Sequence, residues 1–134
     1  DCPKDQECRA ACVVHRGEMM GAMQRRKGAG WERAVVRWFR DAGHNAQRMA
    51  PLQAGTGSAD PDVMVTLKNT TSATKQHKLA VECKAGKRIQ WMKALKQAQE
   101  NSPGNAIPAV VAKIDRCEPV IMMTLADFNS LVRT

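Results

Sequence analysis

Residues 61–84, PDVMVTLKNTTSATKQHKLAVECK, decide the fold. Val63-Met64-Val65 is a short apolar run, and Leu79-Ala80-Val81 is a second. Between them lies a polar stretch, 68–77, with Asn69-Thr70-Thr71-Ser72 at its centre. Two such runs around turn-forming residues predict a β-hairpin whose strands both enter a core. A hairpin brings the start of its first strand to the end of its second, so Pro61-Asp62 meets Glu82-Cys83-Lys84. Residues i and i+2 of a strand share a face. Glu82 and Lys84 therefore point one way, and Cys83 points into the core.

Asp62 and Glu82, converging on one point, repel each other, and a hard divalent cation that prefers oxygen relieves the repulsion. Magnesium is the expected guest, held by Asp62, Glu82 and the backbone carbonyl of Cys83. Lys84 beside it is placed to hold or deprotonate an attacking water. It also adds positive charge where a phosphorane-like transition state gathers negative charge. Glu32, a lone acid among arginines, is a candidate for the ion's outer-sphere waters. The same residues also fit a plain cross-strand salt bridge, which is common on half-exposed sheets.

Working outward, Trp31, Ala34, Val35, Trp38 and Phe39 recur at the spacing of one helix face, and Gly43 supplies a stop. The spacing predicts a helix from about Gly30 to Ala42, with Trp31 and Trp38 in the core. His44 to Met49 reads as a short strand, followed by a loop rich in Gly, Pro and Ser from Ala50 to Asp60. After the hairpin, Ile89, Met92, Leu95 and Ala98 predict a second helix, ended by Asn101-Ser102-Pro103-Gly104. Trp91 falls off that face and is a candidate dimer or DNA wedge. Ile107 to Ala112 and Pro119 to Met123 read as strands. Thr124-Leu125-Ala126-Asp127 has N-cap spacing, opening a last helix with Leu125, Phe128, Leu131 and Val132 on one face. Cys83 and Cys117 read as core or surface thiols.

The chain has 134 residues, 43% hydrophobic and 25% charged, which fits one globular domain and excludes a multidomain enzyme or a disordered chain. Its longest apolar stretch, 107–112, is broken by Pro108 and is far short of the ~20 residues that a membrane helix needs. The opening Asp1-Cys2-Pro3-Lys4 does not read as a secretory signal, so the cytoplasm is the expected compartment. Net charge is +8. Arg25, Arg26, Lys27, Arg33, Arg37, Arg40 and Arg48 face only Glu32 and Asp41 within 25–48, and Lys84, Lys87, Arg88, Lys93 and Lys96 face no acid within 84–96. Charge gathered this way predicts a stripe that tracks phosphates, with salt-sensitive affinity. A generic solubilising surface would share the composition.

Taken together, Arg26-Lys27-Gly28-Ala29, Glu32-Arg33, Ala42-Gly43, Arg48, Pro61-Asp62, Val81-Glu82-Cys83-Lys84 and the Ile-Pro-Ala-Val-Val-Ala-Lys strand at 107–113 resemble the archaeal-type Holliday-junction resolvases of the PD-(D/E)xK nuclease superfamily. The resemblance covers roughly residues 25–132. It implies an α/β restriction-endonuclease-like core, a central mixed β-sheet flanked by helices. It also implies a homodimer that uses magnesium or manganese to nick two opposed strands of a four-way DNA junction. By this resemblance Glu32, Asp62, Glu82 and Lys84 form the catalytic set, and Arg33 and Arg48 contact phosphate. Arg25, Arg26, Lys27, Lys87 and Arg88 join the expected DNA-binding residues from the basic segments, and Ser58 from the loop, which looks longer than the family's usual Gly-Ser turn.

Residues 1–24 stand apart as a Cys/His-bearing extension to a nuclease domain over 25–134. Cys2, Cys8, Cys12 and His15 have the spacing C-x5-C-x3-C-x2-H, and a helix over 6–16 would put the last three on one face. Two readings stay open, a structural Cys3His zinc site and thiols on a buried helix face beside Met19 and Met23. Two functions from different classes accompany the resolvase. One is a nicking nuclease without junction preference, and the other is a zinc-ordered, non-catalytic DNA-binding module. A resolvase must be a two-fold dimer, and the second helix with its neighbouring strands, together with the Met-containing N-terminal segment, is the contact expected from sequence.

Overall fold

The computed structural model describes residues 20–49, 60–68 and 76–133. Among these residues eight elements follow in the expected order: α1 (Met20–Asp41), β1 (Asn45–Arg48), β2 (Val63–Thr66), β3 (Lys78–Gly86), α2 (Trp91–Asn101), β4 (Ile107–Ile114), β5 (Val120–Met122) and α3 (Leu125–Val132). The strands form one sheet in the order β1-β2-β3-β4-β5. β1–β2, β2–β3 and β4–β5 are antiparallel, whereas β3 and β4 run parallel, from Leu79 opposite Ile107 to Gly86 opposite Ile114. A parallel pair requires a crossover, and α2 supplies it.

The two faces carry separate cores. On one, Val35, Val36 and Phe39 of α1 pack on Ala46, Val63, Val65, Leu79, Val81 and Val111. On the other, Ala94, Leu95 and Ala98 of α2 pack on Val110 and Ala112. The central strands β3 and β4 are covered on both sides over their buried runs, 79–82 and 109–112, while β2 alternates buried and half-buried residues.

α1 starts ten residues before the predicted Gly30. Its first turns hold Met, Ala, Gln, Arg and Lys, good helix formers that outweigh Gly28 and Gly30. Its end is as expected. Gly43, at φ 93°, closes the helix by donating to the carbonyl of Arg40, while His44 donates to that of Phe39. Trp38 corrects the sequence reading: it is 64% exposed, and Val36 takes the core position. On α2 the stripe is rotated by one residue. Trp91 packs against the core and Met92 is 69% exposed, so Trp91 is no free wedge. Thr124 caps α3 by accepting from the Asp127 amide at 3.1 Å, as its spacing predicts. The helix buries none of its residues, and Leu125, Phe128 and Val132 lie open. Cys83 is a free thiol, whereas Cys117, read from sequence as another, is disulfide-bonded. No helix among the described residues is long and apolar enough to cross a membrane.

Candidate functional site

The site is built where β2 begins and β3 approaches its end. Val63 pairs with Val81, so Asp62, one residue earlier, stands opposite Glu82. Its backbone is fixed because its carbonyl accepts from the Met49 amide at 2.9 Å, extending the β1–β2 ladder. Its side chain is fixed because Oδ2 accepts from the Cys83 amide at 2.9 Å. Pro61, with no amide to satisfy, is buried just before it.

Glu82 is only 3% exposed, an uncommon position for a carboxylate unless it has a partner. Lys84 is that partner, with Nζ 3.0 Å from Glu82 Oε1. The two share a face of β3, as alternation requires, and Cys83 packs on the opposite core. Lys84 Nζ also donates to Gln97 Oε1 at 3.1 Å, which ties the lysine to α2. On the other side, Glu32 Oε2 accepts from Arg48 Nε at 2.6 Å, both side chains being largely buried.

Asp62 is pushed up from 3.8 to about 7, chiefly because burial disfavours its charge, with further contributions from Glu82 and Glu32. The Cys83 amide and Lys84 work the other way. Burial also raises the Cys83 thiol, with the nearby carboxylates adding to it, so the sulfur is neutral packing.

The rise at Asp62 gives a pH prediction whose sign follows from linkage. Below pH ~4 the carboxyl is protonated in both folded and unfolded chains and costs nothing. Between there and pH 7 the unfolded chain releases the proton and the folded chain keeps it. Stability of the metal-free protein should therefore fall over that window. Asp62→Asn should remove this component and melt higher than the parent at pH 8 in EDTA. Equal pH dependence of melting for the two proteins would show that Asp62 does not titrate as described.

Among the described residues no three acidic, histidine or cysteine side chains form a ready-made cage for a metal. The oxygens that a metal would meet here are the carboxylates of Asp62 and Glu82, with Glu32 drawn aside by Arg48. A buried carboxylate that resists ionisation until positive charge arrives fits a hard divalent cation.

The structure thus brings Glu32, Arg48, Asp62, Glu82, Cys83 and Lys84 together. Arg33 lies on the exposed face of α1, and Lys87 and Arg88 are exposed just beyond β3. Arg25, Arg26 and Lys27 belong to α1, but their side chains lie outside the description, as do Ser58, Cys2, Cys8, Cys12 and His15 altogether. Sequence reasoning missed Gln97. It sits beside the buried Ala94 and Ala98 but among Lys96 and Gln99, where polar residues read as a solvated face.

A mixed five-stranded sheet flanked by helices, with an acid pair and a lysine where one strand begins beside its longer antiparallel neighbour, is the restriction-endonuclease-like architecture. A model of the archaeal Holliday junction resolvase (Hjc) family matches residues 23–100, more than half of the chain. This chain therefore belongs to the archaeal Holliday junction resolvase family. Among solved structures it is similar to Hjc of Archaeoglobus fulgidus, described as a Holliday junction resolvase from an archaeal hyperthermophile. The TM-score is 0.52 at 21% identity, covering 69% of this chain and 72% of that one. No curated protein sequence matches it.

Proposed function

We propose that the protein is a magnesium-dependent endodeoxyribonuclease that resolves four-way DNA junctions by paired symmetric nicks and acts as a homodimer. The observation that carries this reading is the meeting of Asp62, Glu82 and Lys84 where β2 begins and β3 runs on past it, next to the arginine-bearing helix α1. A divalent ion held by Asp62, Glu82 and the Cys83 carbonyl would lower the pKa of a bound water and offset phosphate charge. Lys84, held between Glu82 and Gln97, would orient that water, take up part of its proton and stabilise negative charge on the phosphorus oxygens. Glu32 would adjust the metal shell when Arg48 turns to phosphate.

A junction presents two equivalent strands, so paired cuts call for two sites related by a two-fold axis. A self-complementary surface is supported by Val120 and Ile121 of β5, Leu125, Phe128 and Val132 of α3, and Trp38 of α1, all large apolar side chains left exposed. The region next to β5 includes a groove of about 400 Å³ lined by Trp31, Trp38, Phe39, Pro119 and Ile121 among others. This moves the expected contact away from α2, whose apolar stripe is used internally.

The test is a cleavage panel on a four-way junction and a linear duplex of the same sequence, each with magnesium or EDTA. Paired nicks at symmetric positions in opposed junction strands, requiring magnesium, are the expected result. Equal cutting of both substrates would make it a general nicking nuclease. Binding with no cleavage under any divalent ion would make it a DNA-binding module.

A further inference from the structure

Among the described residues the Lys84 ammonium has two partners, Glu82 Oε1 at 3.0 Å and Gln97 Oε1 at 3.1 Å from Nζ. An ammonium only donates, so the Gln97 amide must turn its oxygen toward the lysine. The two bonds differ in kind. The first is an ion pair within β3, and the second runs to a neutral dipole on another element, α2. Gln97 owes its place to its neighbours. It follows Ala94 by three residues and directly precedes Ala98, and these two small, nearly fully buried side chains let the helix settle close on the sheet. From the margin of that packed face a glutamine spans the gap to β3 while staying exposed itself.

The difference between the two bonds matters once a cation arrives. A divalent ion engaged by Glu82 takes up the charge of that carboxylate and repels an ammonium beside it. The ion pair that aims Lys84 in the free protein therefore weakens in the state that cuts. Lysine has a flexible four-carbon stem, and this side chain is 35% exposed, so with no second hold it turns to water. The Gln97 oxygen has no net charge to be neutralised. Its bond to the lysine persists whatever Glu82 is doing.

We propose that Gln97 is a positioning residue for cleavage, keeping the Lys84 ammonium at the reaction centre once Glu82 is engaged by a metal, and so coupling the crossover helix to the catalytic strand. This role rests on the nucleolytic reading of Asp62 and Glu82 and deepens it.

Three variants test it. Gln97→Leu removes the acceptor and keeps the bulk, Gln97→Glu keeps an oxygen at the same reach, and Gln99→Leu, at an exposed glutamine two residues on, is the control. Each is compared with the parent in junction affinity in EDTA and in single-turnover cleavage with magnesium at saturating protein, where differences in binding no longer count. Gln97→Leu should cut about tenfold more slowly, the effect of losing one charge-assisted hydrogen bond. Its junction affinity and melting temperature should match the parent's. Gln97→Glu should keep most of the parental rate and Gln99→Leu all of it. In a Lys84→Ala background Gln97→Leu should cost nothing further, because its effect passes through the lysine. A readout free of cutting is the Lys84 ammonium resonance in protein carrying labelled lysine, with magnesium and no DNA. Its protons should exchange with water faster in Gln97→Leu than in the parent.

Equal single-turnover rates in Gln97→Leu and the parent would overturn the role. So would a Gln97→Glu as slow as Gln97→Leu, or a loss in Gln97→Leu that multiplies with that of Lys84→Ala, which would trace the effect to the helix and not to the lysine. If the parent never cuts, the nuclease reading falls, and the resonance decides separately whether Gln97 holds Lys84 in the presence of metal. Unchanged exchange in Gln97→Leu would then remove the hold as well.

Discussion

Asp62→Asn and Glu82→Gln should each lower junction cleavage by at least ~1000-fold, about 4 kcal/mol of barrier, while junction affinity stays the same or rises. Asp62→Asn keeps an oxygen that accepts from the Cys83 amide, so the strand end retains its shape while losing charge. Glu82→Gln keeps the volume of a nearly buried side chain and leaves Lys84 tied to Gln97. Each change removes half of the acid pair that would hold the ion. Each also removes a negative charge from the place where a phosphate must sit, which is why binding should not suffer. Lys84→Ala should lose the chemical step by a different route, keeping metal affinity while single-turnover cleavage collapses. Its Glu82 neighbour would be left as a buried unpaired charge, so its melting must be measured alongside. Magnesium-dependent cleavage at the parent rate by the Asp62 or Glu82 variant would remove that residue from the site.

Ile121→Asp, or Phe128→Asp, should convert the dimer to monomers and abolish paired nicking. In the single chain both side chains are about half exposed, so a carboxylate there stays in water and the fold should melt as before. Across a two-fold contact the same carboxylate meets an apolar partner surface and its own copy. Such a charge costs at least ~3 kcal/mol, a loss of more than a hundredfold in association. Light scattering would report the monomer, and junction products would shift from symmetric pairs to scattered single nicks at greatly reduced rate. If the parent is strictly monomeric at concentrations where it still yields paired nicks, the dimer reading is wrong and the apolar surface needs another occupant.

What could be read in the sequence follows the range over which each interaction acts. The 61–84 hairpin was legible because its alternation, its polar turn and the i, i+2 relation of Glu82 and Lys84 are all local. The Thr124 cap and the Gly43 stop were legible for the same reason. Trp31, Val35 and Phe39 marked the correct face of α1, but periodicity could not separate Trp38 from Val36, because both lie at the margin of the stripe. The same one-residue ambiguity exchanged Trp91 and Met92 on α2. The apolar periodicity placed the start of the helix near Gly30, whereas α1 begins at Met20, and a Cβ at Gly28 or Gly30 would touch nothing within 4 Å, so close packing does not demand glycine there. Long-range partners carried no local mark. Nothing around Arg48 announces that its guanidinium reaches Glu32 before any phosphate, and nothing around Gln97 announces Lys84.

The bond from Arg40 to the Ala46 carbonyl bears on how the molecule meets other chains. Met49 donates to Asp62, so the backbone groups of Asn45 and Gln47 also turn toward β2, and those of Ala46 turn outward, to the free rim of the sheet. An uncovered rim invites a foreign strand to lie alongside it. Here the acceptor at the centre of a four-residue rim is already occupied by a cation, and Arg48 ends the strand with another. Sheet extension through β1 is therefore opposed by a side chain of the helix that packs beside it, α1. This edge of the sheet is thus guarded without a proline or a bulge in the strand, and any strand-to-strand pairing between copies would have to use β5, at the opposite edge.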